Sequence, residues 1–332
     1  MKKSNRMIAM TVFSGVLLLF LSLFFSLSIG AYTVPFSDLW GGLTGTSSTE
    51  AAEVIRTLRL PRALVAILIG AGLAVAGAIM QAMTNNPLAS PQIFGVNAGG
   101  SLLVVIAVVL FPDFSPSEIV YFAFIGAALG GGLVFFAASS GGGMTPVKLA
   151  LAGITIHMFL TSLIQSVVIF NETSTEDVLF WLAGGVDGTN WGDVQLLLVW
   201  VGIGLLIALM FSPSFTIMSL GEEVARGLGQ RIALMRIVAS LIVVLLAGAA
   251  VAVAGPIGFV GLIVPHIARK LVGTDYKIVL PVCALFGGIL LSVADVLSRF
   301  IAFPAESPVG IVTALIGAPF FLYLAQRGGQ AS

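Results

Sequence analysis

Ten apolar stretches, joined by short polar links, occupy most of this chain: Ile8–Ile29, Ala63–Met83, Ile93–Phe111, Ile119–Ala138, Leu149–Phe170, Val194–Phe211, Ile232–Ala254, Ile257–Val272, Ile278–Leu297 and Val309–Ala325. Inside a bilayer no water is at hand for a free N–H or C=O, so a spanning segment must satisfy its backbone within itself or in a closed barrel. A barrel would show segments of about ten residues alternating between apolar and polar, and no such alternation is present. The expected fold is an all-α membrane protein of about ten transmembrane helices, a single transmembrane domain over residues 1–332. Charged residues make up 9% of the chain, against about 25% in a soluble globule.

Basic side chains set the orientation, because Lys and Arg are retained on the cytoplasmic side. With the N-terminus inside, Lys2, Lys3, Arg6, Lys148, Arg226, Arg231, Arg236, Arg269, Lys270, Lys277 and Arg327 fall on the cytoplasmic side. Arg56, Arg59, Arg62 and Arg299 fall outside. An even span count then places both termini in the cytoplasm. The basic start followed by an apolar run to Ile29 looks like a signal peptide but is too long for one, so it is expected to be a retained first span. The eighth stretch and the two residues before it are broken by Pro256, Pro265 and the glycines Gly255, Gly258 and Gly261, the pattern of a discontinuous span beside a cavity. Ala71–Ile79 (AGLAVAGAI) and Ala249–Ile257 (AAVAVAGPI) echo one another in opposite expected directions, so an inverted internal repeat is expected.

The chemistry is limited by what is missing. There is no G-x-x-x-x-G-K-[ST] stretch, so an ATP motor would have to be a separate protein. Cys283 is the single cysteine, and His157 and His266 lie on different spans, so no residue set points to a metal or a catalytic constellation. Lys+Arg and Asp+Glu number 15 each, which leaves no basic surface for nucleic acid. Within the predicted spans the lone carboxylate is Asp295, one turn before Arg299, where the two can neutralise each other. An interior built of Gly, Ala, Ser, Thr, Asn, Gln and Met suits permissive passage of a bulky solute better than tight ion binding. The small residues Gly70, Gly72, Ala74, Gly77 and Ala78, with Gly126, Gly130, Gly131 and Gly132, read as close helix packing.

Two polar features stand out. Between the sixth and seventh spans, Ser212–Gln230 (SPSFTIMSLGEEVARGLGQ) interrupts the membrane pattern. Leu220, Val224 and Leu228 recur at i, i+4 and i+8 on one helix face, with Glu222, Glu223 and Arg226 pointing elsewhere. Ser219 followed by Glu222 has the spacing of a capping box, and Gly229 suits a helix end. A short amphipathic helix on the cytoplasmic surface is expected there, either an idle interfacial loop or a lever pushed by another protein. At the outer rim, Arg59, Arg62 and Arg299 are either snorkelling anchors or sockets for a docking protein's carboxylates.

These residues carry a resemblance. RLPRALVAILIGAGLAVAGAIMQAMTNNPLASPQIFGVNAG (Arg59–Gly99), LAGI (Leu151–Ile154), FWLAGG (Phe180–Gly185), LGEEVARGLG (Leu220–Gly229), AVAGPIGFVGLIVPHIAR (Ala252–Arg269) and ESPVGIVTALIGAPFFLYL (Glu306–Leu324) follow one another in family order. The chain resembles the FecCD-like permease subunits of bacterial type II ABC importers for iron–siderophores, haem and vitamin B12. The resemblance implies a ten-span fold and a dimer of permeases, identical or paralogous. It implies two cytoplasmic ATPase subunits, which carry the ATP and Mg, and an extracytoplasmic substrate-binding protein. It identifies Leu220, Gly221, Glu222, Glu223, Val224, Ala225, Arg226, Gly227, Leu228 and Gly229 with a coupling helix seated on the ATPase. It identifies Arg59, Arg62 and Arg299 with binding-protein docking, and the turn Gly141, Gly142, Gly143, Met144, Thr145 and Pro146 with a cytoplasmic gate. Its GGGMTP is less basic than the loops of some relatives. The implied function is ATP-driven import of an iron(III)–siderophore, of hydroxamate type as the commonest case, with haem or vitamin B12 as alternatives; an ion-coupled carrier would be the reading outside the family.

Overall fold

The computed structural model describes residues 4–30, 36–47, 49–111, 114, 116–140, 145–171, 175–303 and 305–328. All regular structure among the described residues is helical. The chain opens with α1 (Asn5–Ser28), α2 (Phe36–Thr44) and α3 (Glu50–Val54), and a π-helical turn (Ile55–Arg59) leads without a break into α4 (Leu60–Thr84). A 3-10 turn (Pro91–Phe94) precedes α5 (Val96–Leu110), followed by α6 (Pro116–Ser139), α7 (Pro146–Ile169), α8 (Thr175–Ala183) and α9 (Trp191–Met210). Then come α10 (Ser212–Met218), α11 (Glu222–Gly227), α12 (Ile232–Ala254), α13 (Val260–Val272), α14 (Tyr276–Ile301) and α15 (Val309–Gly328).

Among the described residues, seven helical runs are long and apolar enough to cross a membrane: α1, the run ending in α4, α6, α7, α9, α12 and α14, with α5 and α15 as shorter apolar helices. Each falls on one of the apolar stretches of the sequence. The eighth stretch differs. Its helix, α13, has 13 residues, about 20 Å at 1.5 Å per residue, short of a hydrocarbon core of about 30 Å. Residues 255–259 are not helical, because Gly255 and Phe259 both sit at positive φ (+67° and +66°) and Pro256 has no N–H to give. The exposed backbone of such a break has to find partners elsewhere in the protein. Here the Gly185 N–H donates to the Ala254 carbonyl, the last of α12 before the break, at 2.9 Å. The second span was expected to begin near Ala63; instead the helix continues from Glu50, and Arg59 and Arg62 lie within it.

α4 is the axis of the molecule. It is buried on nearly every side, from Pro61 to Met83, whereas α1 and α7 bury a narrow stripe and turn Phe13, Phe20, Met158 and Phe159 outward, as lipid-facing helices do. Glycine makes this crowding possible. A Cβ on Gly77 would collide with the backbone of Gly261 on α13, and one on Gly70 with the backbone of Gly287 on α14. Gly99 on α5 meets Gly126 and Gly130 on α6 in the same way. Two of the expected packing glycines are not used so: Gly132 has open space around it and Gly72 ordinary contacts. Of the two echoing segments, Ala71–Ile79 is helical throughout, whereas Ala249–Ile257 runs off the end of α12 at Gly255.

Candidate coupling hairpin and charge cluster

α4 separates two polar sites by its own length, about 37 Å for 25 residues at 1.5 Å each. Beyond its carboxyl end lies the amphipathic segment; at its amino end lie the arginines.

The segment is a hairpin of two short helices rather than one. α10 ends at Met218, with Ser219 just beyond it, and Gly221, at φ +104°, turns the chain into α11. That corrects the expected capping box: the residue before α11 is Gly221, and no side chain caps it. Ser219 Oγ instead donates back to the Thr216 carbonyl at 2.7 Å. The helix ends as expected, with Gly229 at φ +77°.

The apolar stripe is real, but it faces away from the body. Leu220, Val224 and Leu228 are 58%, 48% and 62% exposed, and Ala225 is the one residue of α11 buried against the protein. The attachment is polar. One Glu222 oxygen accepts from Arg226 Nη2 at 2.6 Å and the other from Arg236 Nη2 of α12 at 2.7 Å. Gln230 Nε2 closes the hairpin onto the Ser214 carbonyl at 3.1 Å. On the α10 side, Thr216 Oγ1 accepts the Tyr276 N–H at 2.9 Å, at the first turn of α14, and the Tyr276 hydroxyl donates to the Ala78 carbonyl of α4 at 3.3 Å. A polar cavity of about 270 Å³ lies beside this joint, lined by Ser219, Leu220, Tyr276, Asn85, Gln81 and Arg269. Arg269 donates to Gln81 Oε1, and Gln81 Nε2 reaches the carbonyls of Ala89 and Gly261 at 3.3 Å each.

At the far end, Asp295 has no exposure and holds two cations: Arg62 at 2.8 Å and Arg299 of its own helix. Arg62 also pairs with Glu306. Further donors of Arg59 and Arg299 go to the end of α1, where the last carbonyls of a helix have no partner of their own. Arg59 Nη1 donates to the carbonyls of Leu27 and Ser28 at 2.7 and 3.1 Å. Arg299 Nη1 donates to those of Ser26 and Ile29 at 2.8 and 2.7 Å, and its Nη2 to Ser26 Oγ at 3.0 Å. Positive charge there also complements the negative end of the α1 dipole. Arg59 and Arg299 are 7% and 5% exposed, so these two rim arginines are internal clasps. With Asp187 and Glu306 they line a cavity of about 310 Å³.

Among the other expected positions, Gly141, Gly142, Gly143 and Met144 lie outside the described residues. Thr145 caps α7, its Oγ1 accepting the Lys148 N–H at 3.3 Å, and Pro146 is the first residue of that helix. His157 is exposed on α7 rather than packed against a neighbouring helix of this chain. His266 makes an edge-on contact with Phe320 of α15. No cluster of metal-ligating side chains occurs among the described residues. Sequence reasoning missed the pairing of Glu222 with Arg236. Its signal was an arginine early in an apolar span with no acid in that helix's first turn.

Comparison with known proteins agrees with this architecture. The model of the FecCD transport family matches residues 17–327. The chain is 55% identical over 327 residues to the Fe(3+)-citrate import system permease protein YfmD of Bacillus subtilis (strain 168), covering 98% of this chain and 97% of that one. It is 46% identical over 316 residues to the Iron(3+)-hydroxamate import system permease protein FhuB of the same organism, covering 95% and 82%. A solved structure described as an inward-facing conformation of a metal-chelate type ABC transporter superimposes with a TM-score of 0.83 at 30% identity, covering 96% of this chain and 99% of that one. A buried glycine-packed axis, an apolar hairpin presented at one end and a match across nearly the whole length lead to one conclusion: the chain belongs to the FecCD transport family of ABC importer permeases.

Proposed function

We propose that this protein is the membrane-spanning subunit through which an ATP-driven importer carries a ferric chelate into the cytoplasm, with ferric citrate as the first candidate substrate. One geometric observation carries the coupling part of this reading. Leu220, Val224 and Leu228 form an apolar ridge on α11 that the chain itself leaves uncovered, and a polar tether to the body holds that ridge outward. A surface helix of this kind fits a cleft in a partner ATPase. The α11 end is then cytoplasmic, in keeping with the basic residues Arg226, Arg231 and Arg236 within or shortly after it in the sequence and with Arg269 in the cavity beside it. The opposite end, with its cavity lined by Arg59, Arg62 and Arg299, receives the acidic face of a substrate-binding protein. Two permeases and two ATPases make up the assembly, and both termini are cytoplasmic.

The substrate reading rests on relatedness: the 55% identical relative is named for ferric citrate and the 46% identical one for ferric hydroxamate. A hydroxamate siderophore is therefore the second reading. Reconstitution in vesicles with the cognate ATPase and binding protein, supplied with iron-55 as citrate or as a ferric hydroxamate, tests both parts. ATP-dependent uptake of the citrate complex is the expected result. Uptake by the permease alone under an ion gradient would overturn the ATP-coupled reading, and uptake of the hydroxamate only would replace the substrate.

A further inference from the structure

The amino end of α12 has an electrostatic problem that it does not solve for itself. A helix amino terminus carries a partial positive charge, and α12 adds Arg231 just before its first residue and Arg236 in its second turn, with no acid in its first turn. Arg236 is 7% exposed, so water does little to relieve it. The countercharge comes from the hairpin. Glu222 Oε2 accepts from Arg236 Nη2 at 2.7 Å while Oε1 is held by Arg226 at 2.6 Å. Of the two ion pairs that α11 makes among the described residues, this is the one that reaches a spanning helix. The hairpin's other anchor is on α10, where Thr216 bonds the start of α14.

From this arrangement we infer that Arg236 is a positioning residue for energy coupling: its pair with Glu222 is the strut that makes α12 follow α11 when a bound ATPase moves it. The inference rests on α11 being the ATPase contact. α12 packs along α4, the buried axis, as well as along α6 and α9. A displacement of its end is therefore passed to the centre of the protein. An ion pair with one member largely out of water suits the task. Taking Glu222 away removes a close counterion from a guanidinium that is 7% exposed, so the joint resists opening more than a few apolar contacts on a surface helix do. Without the strut, α11 stays on α10, and α10 stays on α14, but α12 is no longer driven.

The test uses the complete complex in vesicles and reads iron-55 taken up per ATP hydrolysed, with co-purification of the ATPase as the assembly readout. Arg236→Gln and Glu222→Gln are each expected to lower that ratio roughly tenfold, a coupling change of ordinary size, with the ATPase still bound. The double variant should fall no further than either single one, because the two side chains act as a unit. Arg236→Lys, which keeps a charge on Glu222, should recover most of the ratio. An unchanged ratio in Arg236→Gln, or additive losses in the double variant, would overturn the strut. So would failure of both single variants to assemble, since the pair would then be a folding contact. Val224→Asp separates this from the reading beneath it. If Val224→Asp binds ATPase and transports normally, α11 is not the contact at all; if it abolishes ATPase binding while Arg236→Gln keeps both binding and coupling, only the strut is wrong.

Discussion

Alanine at Gly77 and alanine at Gly132 are the same chemical change in a transmembrane helix, and the structure gives them opposite signs. In host helices Ala is favoured over Gly by about 1 kcal/mol. Gly132 of α6 has nothing within 4 Å of the position its Cβ would take. Gly132→Ala should therefore be neutral or stabilising by up to about that amount. At Gly77 the new methyl group would overlap the Cα, carbonyl carbon and carbonyl oxygen of Gly261. All three are backbone atoms, so no rotamer change relieves the clash, and α13 has to move away from α4. Overpacking of a tight core costs about 1–3 kcal/mol even where side chains can yield, so the upper part of that range applies here. After the helix-propensity gain is subtracted, Gly77→Ala should be destabilised by about 1–2 kcal/mol, leaving the two variants about 2–3 kcal/mol apart. Unfolding of each in mixed micelles of increasing SDS fraction, followed by circular dichroism, measures the gap. If Gly77→Ala matches Gly132→Ala, the backbone contact between α4 and α13 is not part of the folded protein and the reasoning fails.

Three further outcomes are expected. Asp295→Asn leaves Arg62 and Arg299 short of their shared carboxylate, and the loss should be about 3 kcal/mol of stability, read in the same SDS titration; a value near zero would mean that the cluster is hydrated. Val224→Asp lies on an exposed ridge and should shift stability by no more than about 0.5 kcal/mol while abolishing co-purification of the ATPase; retained ATPase would refute the ridge as its seat. Thr216→Val deletes the acceptor of the Tyr276 N–H and should cost about 1 kcal/mol, with faster amide exchange at Tyr276 as its signature. Normal exchange there would mean that α10 is not fastened to α14.

Much of this fold was legible because a membrane leaves the backbone so few options. Ile232–Ala254 matches α12 at both ends, and the other stretches fall on helices whose ends shift by a few residues. The exceptions have local causes. Hydropathy cannot see that Phe259 adopts a left-handed conformation, so α13 starts later than its apolar run. Nor can it see that the helix before Ala63 continues through a π-helical turn. At the hairpin, the i, i+4, i+8 spacing gave the apolar face, but the capping pattern at Ser219 competed with Gly221, whose positive φ breaks the chain there. The arginines show a different limit. Their place at one rim could be read from the order of spans, and the Asp295–Arg299 pair from their spacing. That Arg59 and Arg299 bond the end of α1 depends on contacts between residues more than 30 positions apart, which no local pattern encodes.

The Asp295 cluster also bears on how the protein is made. A carboxylate or a guanidinium midway through a spanning helix resists insertion by about 2.5–3.5 kcal/mol, and α14 brings both, one turn apart, so each enters with its counterion already beside it. Arg62 has no such companion in α4. It joins the bilayer long before Asp295 and Glu306, its partners 233 and 244 residues further on, have been synthesised. Near the mouth of its helix it can keep its charge among lipid headgroups for that interval. The ion pairs of Arg62 are therefore made late in biogenesis, once the segments that carry Asp295 and Glu306 have been synthesised.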